Sequence, residues 1–422
     1  MNRRIVGIMI FILGLPLISH AQGAETNDQE LIRELLGRIE KLETRVAELE
    51  GGKAEQPAAA VAQTVPARGV EQGNPQTAEP TPISAEAQQV YPSLKLQGFS
   101  DLNFSATDQR GVRSGFNEGQ FALHISSALS PKVNYFGEVS ATARTDAGLG
   151  MQPAPGFNFE VERSIIRFDQ SDYFKASFGR YHTPINWWNT AFHHGQWLQT
   201  TISRPEMVQF GGQFLPVHFV GALVEGVLPG GLNLNYNVGI GNGRSSVISR
   251  GGDFGDINNN RAWLINLFSH PDQLYGLQVG ASVYHDKITL ASGRDFREWI
   301  TTGHIVLRRE DPEFIAEFAN VNHREVNGTT SFNSQAFYVQ IAYRLPWLER
   351  LWKPYYRFEY IHIPKGDFVF QAIPELAGST VGLRYDISSF AAIKAEYRYQ
   401  HRLRLPGEPW INGAFLQTSF TF

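Results

Sequence analysis

The sequence contains no cysteine, which excludes disulfides and thiolate metal sites. Only 18% of the 422 residues are charged, and 37 lysines and arginines nearly balance 41 aspartates and glutamates. Without a basic excess, the chain is not expected to bind nucleic acid. Beyond its amino-terminal segment the chain has no run approaching the roughly 18 apolar residues that a transmembrane helix needs. Any membrane crossing by the remainder must therefore use strands.

The amino-terminal segment has the order of a secretory signal. Arg3 and Arg4 precede the apolar stretch 5–18, and a small-x-small triplet ends at Ala21. A basic start, an apolar run and such a triplet are typical of a signal peptide that is removed after export. We predict a signal peptide over 1–21, cleaved after Ala21. The alternative is a buried helix of the mature fold.

Residues 27–50 carry apolar side chains spaced alternately three and four residues apart. This spacing is a heptad seam and predicts a short coiled-coil helix. Arg38 stands five residues before Glu43, a spacing that pairs opposite charges between parallel chains in register. We therefore predict self-association into two or three chains; the alternative is a single amphipathic helix packed elsewhere. The seam consists of Ile32, Leu35, Ile39, Leu42, Val46 and Leu49.

Residues 51–90 shift to alanine, proline, glutamine, glycine and glutamate, with almost no large apolar side chain. Such a segment cannot bury enough apolar surface to fold and is interpreted as a linker. Over 91–422, segments of about ten residues alternate in polarity between clusters of glycine, proline, asparagine and aspartate. This pattern predicts an all-β transmembrane barrel.

Sixteen antiparallel strands are predicted, each near the roughly 9 to 11 residues that a tilted strand needs to cross the hydrocarbon. Every second connection is short, as expected where short inner turns alternate with longer outer loops. A rival strand at 206–214 would break this alternation, so that segment is assigned to a loop. The predicted strands are 94–106, 119–129, 132–144, 157–169, 172–181, 217–227, 232–241, 260–269, 277–286, 297–309, 313–324, 332–345, 354–363, 378–387, 391–402 and 413–422.

Side chains alternate between the two faces of each strand. Val339 and Ile341 are predicted to face lipid, whereas Gln340 and Arg344 are predicted to face the lumen. A charged group on the lipid face costs about 2 to 4 kcal/mol at the bilayer midplane. The charged residues of the strands therefore mark the interior.

A barrel of sixteen strands is too wide for its side chains to fill and leaves an aqueous channel. The longest connection, 182–216, is unusually aromatic for a loop in water. We predict that it folds against the inner wall and forms the constriction; packing over the mouth or against a neighbouring subunit is the alternative. Its candidate constriction residues are Trp187, Trp188, Phe192, His193, His194, Trp197 and Arg204.

Basic residues fall on inward positions of several predicted strands. Ladders of arginine and lysine select anions in pores. The alternative is that these cations are neutralised by the interleaved Glu359, Asp386 and Glu396 in a structural lattice under the loops. The predicted pore-lining basic residues are Arg163, Arg167, Arg357, Arg384, Lys394, Arg398 and Arg402.

No catalytic constellation is found in the sequence, and a Gly-x-Ser-x-Gly elbow is absent. His193 and His194, with His182, lack a carboxylate at ligand spacing beside them. We therefore interpret them as structural histidines and predict neither a metal nor another cofactor. The expectation is a protein that is not an enzyme.

The order of signal, short coiled coil, linker and sixteen strands resembles the phosphate-selective porin O and P family and related coiled-coil porins. The heptad 32–49, the segments 178–187 (Phe-Gly-Arg-Tyr-His-Thr-Pro-Ile-Asn-Trp) and 236–243, and the terminal Phe422 carry this likeness. The resemblance implies a trimer in the outer membrane of a Gram-negative bacterium, with the coiled coil in the periplasm. It also implies a constriction rich in lysine and arginine.

These observations lead us to expect a passive outer-membrane porin for small hydrophilic solutes, with a preference for small anions such as phosphate. Within transport, the alternative is a sugar-permeable porin, since tryptophans stack on sugar rings. From another class, the barrel could anchor the coiled coil as an envelope tether. The expected partners are membrane lipid, copies of the same chain and the solutes that pass.

Overall fold

A computed structural model describes residues 91–109, 111–143, 157–209, 214–244, 246, 248, 256–371, 373, 375–402 and 410–422. The predicted signal peptide, coiled coil and linker over 1–90 lie outside these described residues. Most of the predicted barrel, 91–422, lies within the described residues.

The fold is an all-β barrel of sixteen antiparallel strands, which confirms the predicted fold class and strand number. The predicted bounds are off by a few residues: β2 begins at Gly115 and not at 119, and β16 begins at Trp410 and not at 413. The strands are β1 Lys95–Thr107, β2 Gly115–Ser130, β3 Val133–Ala143, β4 Phe157–Ser171, β5 Phe174–His182, β6 His218–Leu228, β7 Leu234–Asn242, β8 Ala262–Ser269, β9 Leu277–Thr289, β10 Asp295–Arg308, β11 Glu313–Glu325, β12 Ser331–Ala342, β13 Trp352–His362, β14 Leu376–Ser388, β15 Ala391–Arg402 and β16 Trp410–Thr421.

Each strand pairs with its neighbours in sequence, and the sheet closes where β1 pairs with β16. The closing register runs from Phe99 opposite Thr421 to Thr107 opposite Gly413. The terminal Phe422 extends the seam, because its N–H donates to the carbonyl of Gly98 at 3.0 Å. A closed sheet leaves no edge strand with unpaired backbone groups, which is what a lipid environment requires.

The connections alternate as predicted, with tight turns at one end of the barrel and mostly longer loops at the other. The turn between β2 and β3 contains only residues 131 and 132, whereas the loop between β5 and β6 runs from 183 to 217. This loop contains α1, Trp187–Phe192, and a 3-10 helix, Glu206–Val208. Among the described residues, no helix combines the length and apolarity needed to span a membrane. In the rival segment 206–214, the described residues 206–209 and 214 do not belong to a strand.

The dyad pattern places apolar side chains outside and polar ones inside. Val339 and Ile341 are 38% and 48% exposed, whereas Gln340 between them is fully buried. On β3, Val139 is 36% exposed, and its neighbour Glu138 is fully buried. The outward and inward assignments of Val339, Ile341 and Gln340 are therefore confirmed, Val139 and Glu138 follow the same pattern, and the outer surface is an apolar band.

Exposed aromatic side chains lie near both rims of this band. Aromatic girdles at the two interfaces are characteristic of barrels that cross a bilayer. At the end with the longer loops they include Phe116, Phe159 and Trp410, and at the end with tight turns Tyr173, Tyr275, Trp347 and Phe422.

Ion pairs join neighbouring turns and strand ends at the tight-turn end of the barrel. Arg344 donates to Glu310 at 2.5 Å and to Asp386 at 2.5 Å, and Lys353 contacts Glu310 at 3.1 Å. Partial burial opposes ionisation of Glu310, but the nearby Lys353 and Arg344 charges lower its pKa to about 2. Arg344 faces inward as predicted. From the turn after β12 it joins the turn before β11, through Glu310, to the end of β14, through Asp386.

Candidate functional site

The loop 183–217 leaves and re-enters the sheet at the same point. His182 at the end of β5 pairs with His218 at the start of β6, and the Thr183 N–H donates to the Val217 carbonyl at 2.8 Å. Between these positions the loop lies against inward-facing side chains of the barrel. Trp187, Trp188 and Phe192 are each at most 7% exposed, so these three aromatic side chains are packed away from water.

A buried carboxylate on the opposite wall holds the start of α1. Glu317 on β11 accepts from the N–H groups of Trp187 at 2.5 Å and Trp188 at 3.2 Å, and from the Asn186 amide at 3.2 Å. The first N–H groups of a helix have no partner within the helix, and a carboxylate there also complements the helix dipole. The hydroxyl of Tyr338 donates to the same carboxylate at 2.7 Å.

The helix packs on an apolar patch of the inner wall. The Trp188 ring meets Phe192 and Tyr338 edge-on, with ring centroids 5.0 and 5.8 Å apart. Ile300 on β10 and Tyr284 on β9 belong to the same buried cluster. Sequence reasoning missed this patch, because it assigned inward positions to polar residues. The available signal was a run of apolar residues on both faces, as is usual for strands buried on both sides.

Lys394 on β15 anchors the middle of the loop. Its ammonium donates to the carbonyls of Gln196, Gln199 and Thr201 at 2.5, 2.9 and 3.1 Å, and the side chain is fully buried. Buried carbonyls need hydrogen-bond partners, and this irregular segment cannot supply them from regular structure. One wall cation thus satisfies three loop carbonyls.

Two arginines on the neighbouring strands extend this anchor. Arg357 on β13 donates to the carbonyls of Ser203 at 2.8 Å and Arg204 at 3.1 Å. Arg384 on β14 donates to the carbonyl of Trp197 at 2.8 Å. Together these cations hold the loop across β13, β14 and β15.

Glu396 on β15 binds the N–H groups of the same loop segment. It accepts from Ile202 at 2.9 Å and Ser203 at 3.2 Å, from the Tyr355 hydroxyl at 3.0 Å and from Arg398 at 2.6 Å. Carbonyls and N–H groups of residues 196–204 therefore have partners on one wall, which fixes the conformation of the loop.

The prediction that all seven basic residues line the water path is wrong for three of them. Arg163, Arg357 and Lys394 are at most 1% exposed. The reason is that Arg357 and Lys394 lie under the loop, while Arg163 pairs with Glu138 at 2.5 Å and covers the Phe136 ring. For these residues the alternative of a structural lattice describes the contacts.

The other four basic residues keep the inward positions expected for them. Arg167 pairs with Asp169 at 2.6 Å, and Arg384 with Asp386 at 2.7 Å. Arg398 and Arg402 on β15 are only half-buried. The hydrogen-bond partners are the charged Glu396 for Arg398 and the neutral Gln400 for Arg402, at 2.6 and 3.2 Å.

The remaining predicted loop residues lie in two places. Arg204 donates to the carbonyls of Phe192 at 3.2 Å and Val208 at 3.5 Å, so it braces the loop itself. Trp197 is half-buried beside Arg384. His193 and His194 instead join a cluster that the sequence did not indicate.

This group of side chains, the histidine cluster, lies where the loop meets β3, β4, β5 and β6. Glu162 contacts His218 at 2.9 Å, His194 at 3.3 Å and His193 at 4.0 Å, and Glu138 contacts His182 at 3.5 Å. The absence of a nearby carboxylate in sequence was the ground for interpreting these histidines as structural. The barrel supplies both carboxylates from other strands. The cluster consists of Glu138, Glu162, His182, His193, His194 and His218.

A second loop, 363–375, also folds inward. Asp367 contacts His323 at 2.9 Å, and the Phe370 ring stacks on Phe214 with centroids 5.1 Å apart. Phe370 is fully buried. Phe370 therefore packs on the loop 183–217 at Phe214, shortly before the chain returns to β6.

Comparison with solved structures identifies the architecture. The barrel matches an anion-selective porin from Comamonas acidovorans with a TM-score of 0.56 at 10% identity, over 78% of this chain and 100% of that one. The barrel has the fold of the outer-membrane porins. The outer membrane channel DcaP of Acinetobacter baumannii gives 0.54 at 12% identity, over 78% and 97% of the two chains. OprB of Pseudomonas putida gives 0.51 at 11%, over 78% and 94%.

No protein-family model matches the chain, and no curated protein does either. At these identities the structural matches establish the porin fold only. These matches do not identify the solute or the particular porin family.

Replacing Glu317 with alanine should loosen the constriction loop at α1. The N–H groups of Trp187 and Trp188 would lose their acceptor, and an unsatisfied buried donor costs about 1 to 3 kcal/mol. We expect faster protease cleavage within 183–217 and a lower free energy of unfolding. Limited proteolysis followed by mass spectrometry measures the first effect, and urea titration the second.

Glu325→Ala provides the matched control on the same strand. Glu325 lies at the end of β11 and pairs with Arg294 at 2.9 Å, away from the loop. Its removal should leave cleavage of 183–217 at the wild-type rate. Equal cleavage in Glu317→Ala and Glu325→Ala would contradict the assigned role of Glu317.

Proposed function

We propose that this protein is a passive channel of a bacterial outer membrane, in which the loop 183–217 narrows the water path. The observation that carries the proposal is the position of this loop inside a closed barrel, held by Glu317, Lys394, Arg357 and Glu396. Barrels of sixteen strands are wide enough to leave an aqueous path. A loop fixed by buried anchors gives that path a defined width.

The solutes proposed are small and hydrophilic, with a preference for anions. Arg398 and Arg402 support this preference, because both are half-buried cations on the inner face of β15. Lys394 and Arg357, by contrast, lie under the loop and hold it. The Comamonas neighbour is described as anion-selective, which agrees with this direction. A likeness to the phosphate-selective porins remains part of the proposal, with phosphate or another small anion as the solute.

The protein is proposed to act without catalysis and as an oligomer. The predicted heptad at 27–50 supports self-association, with a trimer favoured and a dimer as the alternative. The predicted signal peptide supports export, and the coiled coil would then lie in the periplasm. An envelope tether remains the alternative from another class and would depend on residues 27–90.

Removal of the two half-buried cations on β15 tests the anion preference. In the double variant Arg398→Ala, Arg402→Ala, the anion-to-cation permeability ratio should fall. A unit charge about 4 Å from an ion changes its energy by about 1 kcal/mol in water, which amounts to a several-fold change in permeability. Reversal potentials of single channels in a KCl gradient measure the ratio directly.

Arg350→Ala is the control for this measurement. Arg350 lies in the tight turn after β12 and pairs with Asp311 at 2.9 Å, at the end of the barrel opposite Arg402. Its removal should leave the reversal potential unchanged. A reversal potential in the double variant equal to that of the wild type would count against an anion-selecting ladder on β15.

The tryptophans of the loop bear on the sugar-permeable alternative, which rests on stacking against sugar rings. Trp187 and Trp188 are buried against the wall, whereas Trp197 is half-buried. Liposome swelling with a series of neutral sugars discriminates between the two. Fast swelling that discriminates among sugars of equal size would favour the sugar pore.

A further inference from the structure

We propose that the histidine cluster contains a binding site for a divalent transition-metal ion, with Glu162, His182 and His193 as ligands. One potential ligand atom from each of these residues, and from His218, lies within 4.8 Å of the others. Imidazole nitrogens and a carboxylate oxygen are the donors that Zn²⁺ binds, at about 2.0 to 2.2 Å. Ni²⁺ and Cu²⁺ also suit imidazole ligands. The proposal rests on the fold and does not depend on the channel function.

Glu162 is better placed than Glu138 to act as the carboxylate ligand. Glu138 is already paired with Arg163 at 2.5 Å and contacts His124 at 2.9 Å. On Glu162, Oε1 accepts from the Ser140 hydroxyl at 2.7 Å. Its Oε2 faces imidazoles and is therefore the oxygen directed at the site.

Asn189 sets the tautomer of His193. The Asn189 amide nitrogen donates to the carbonyls of Thr183 at 3.1 Å and Val217 at 2.9 Å, which fixes the orientation of the amide. The amide oxygen therefore faces Nδ1 of His193 at 2.9 Å, so Nδ1 carries the proton. Nε2 of His193 then presents its lone pair on the side of Glu162. A hydrogen bond donated by the other ring nitrogen is the usual support for a metal-binding histidine.

His218 plays a different part. Arg180, which can only donate, contacts Nδ1 of His218 at 3.0 Å. The proton of the neutral ring is therefore on Nε2, 2.9 Å from Glu162 Oε2. We assign His218 as a neighbour that contacts Glu162 and does not bind the ion. The ion then has three protein ligands, all of them buried.

The three ligands come from different parts of the barrel. Glu162 belongs to β4, His182 ends β5, and His193 follows α1 within the constriction loop. A bound ion would therefore tie the loop to the wall on the side opposite Lys394. It would add a fixed point at the junction where the loop leaves the sheet.

Binding of Zn²⁺ and Co²⁺ to the untagged full-length protein, folded in detergent and freed of metal by a chelator, tests the site. We expect one ion per chain by calorimetry, and visible d–d absorption for Co²⁺ in a site of low coordination number. Glu162→Gln and His193→Ala should each weaken Zn²⁺ binding about 10-fold or more. His304→Ala, a buried lumen histidine on β10 outside the cluster, should bind as the wild type does.

The folded state of each variant is checked by its heat-dependent migration in detergent gels. Anomalous scattering at the zinc edge from crystals of the wild type soaked in Zn²⁺ gives a second measurement that needs no variant. A peak between Glu162, His182 and His193 supports the proposal. The proposal is overturned by the absence of such a peak, by the absence of stoichiometric binding, or by undiminished binding in both Glu162→Gln and His193→Ala.

Discussion

Excision of the constriction loop should raise the single-channel conductance several-fold. Thr183 and Val217 are joined by a backbone hydrogen bond of 2.8 Å, next to the paired His182 and His218. A two-residue Asn-Gly turn can therefore replace 184–216 and continue the ladder of β5 and β6 as a tight hairpin. The shortened barrel would keep its strands and lose the segment that fills the lumen. Its lumen would approach the open width of a sixteen-stranded sheet.

The measurement is single-channel current in a planar bilayer, with the folded state of the variant established beforehand by circular dichroism. Removal of the loop exposes the apolar patch around Ile300 and Tyr338, so some loss of stability is expected as well. The control is an excision of 145–155 from the connection that follows β3. Unchanged conductance after loss of 184–216, in a barrel that still folds, would show that the loop does not set the width of the path.

Replacing Lys394 with methionine should lower the free energy of unfolding. The ammonium is fully buried and donates to three loop carbonyls. Methionine fills a similar volume but donates nothing to Gln196, Gln199 and Thr201, although Gln199 keeps Arg384 as a donor. A buried carbonyl that loses its donor costs about 1 to 3 kcal/mol. Urea unfolding followed by tryptophan fluorescence measures the change, because Trp187 and Trp188 lie in the loop.

A second readout separates loop release from general unfolding. Single channels of Lys394→Met should show more frequent closures and openings than the wild type, since the segment 196–201 would lose one of its anchors and keep only those from Arg384 and Arg357 among the wall cations described above. Lys132→Met, an exposed lysine in the tight turn after β2, is the matched control and should leave both readouts unchanged. Wild-type stability together with wild-type current traces in Lys394→Met would refute the anchoring role.

The strands could be predicted from the sequence because their signals are local. Alternation such as Val339, Gln340 and Ile341 reports the two faces of one strand, and turn residues mark its ends. The errors at Gly115 and Trp410 amount to a few residues at strand ends, where Asn117 and Asn412 pair in the ladder although asparagine is typical of turns. Closure of β1 on β16 followed from the even strand number and the aromatic final strand.

The contacts of the loop could not be predicted, because they join residues far apart in sequence. Glu317 caps a helix that begins 130 residues earlier, and nothing near either segment indicates this pair. The carboxylates of the histidine cluster come from β3 and β4, whereas its histidines lie at 182, 193, 194 and 218. Spacing in the sequence therefore did not indicate the carboxylates beside His193 and His194.

For the basic residues, too, the sequence predicted the face of the strand but not the contacts of the side chain. Period-two alternation placed Arg357 and Lys394 on the inner face, which is correct. Whether an inward cation meets water or a loop carbonyl depends on the path of 183–217, which has no periodic signal. The partial exposure of Arg398 and the burial of Lys394, four residues apart on one strand, follow from that path alone.

The most direct test of the proposed channel is a planar-bilayer recording of the purified wild-type protein in symmetric KCl. A barrel whose lumen holds a fixed, incomplete constriction predicts discrete current steps that are proportional to voltage. Protein that is demonstrably folded as a barrel, and inserts into the bilayer without carrying any current, would contradict the proposal.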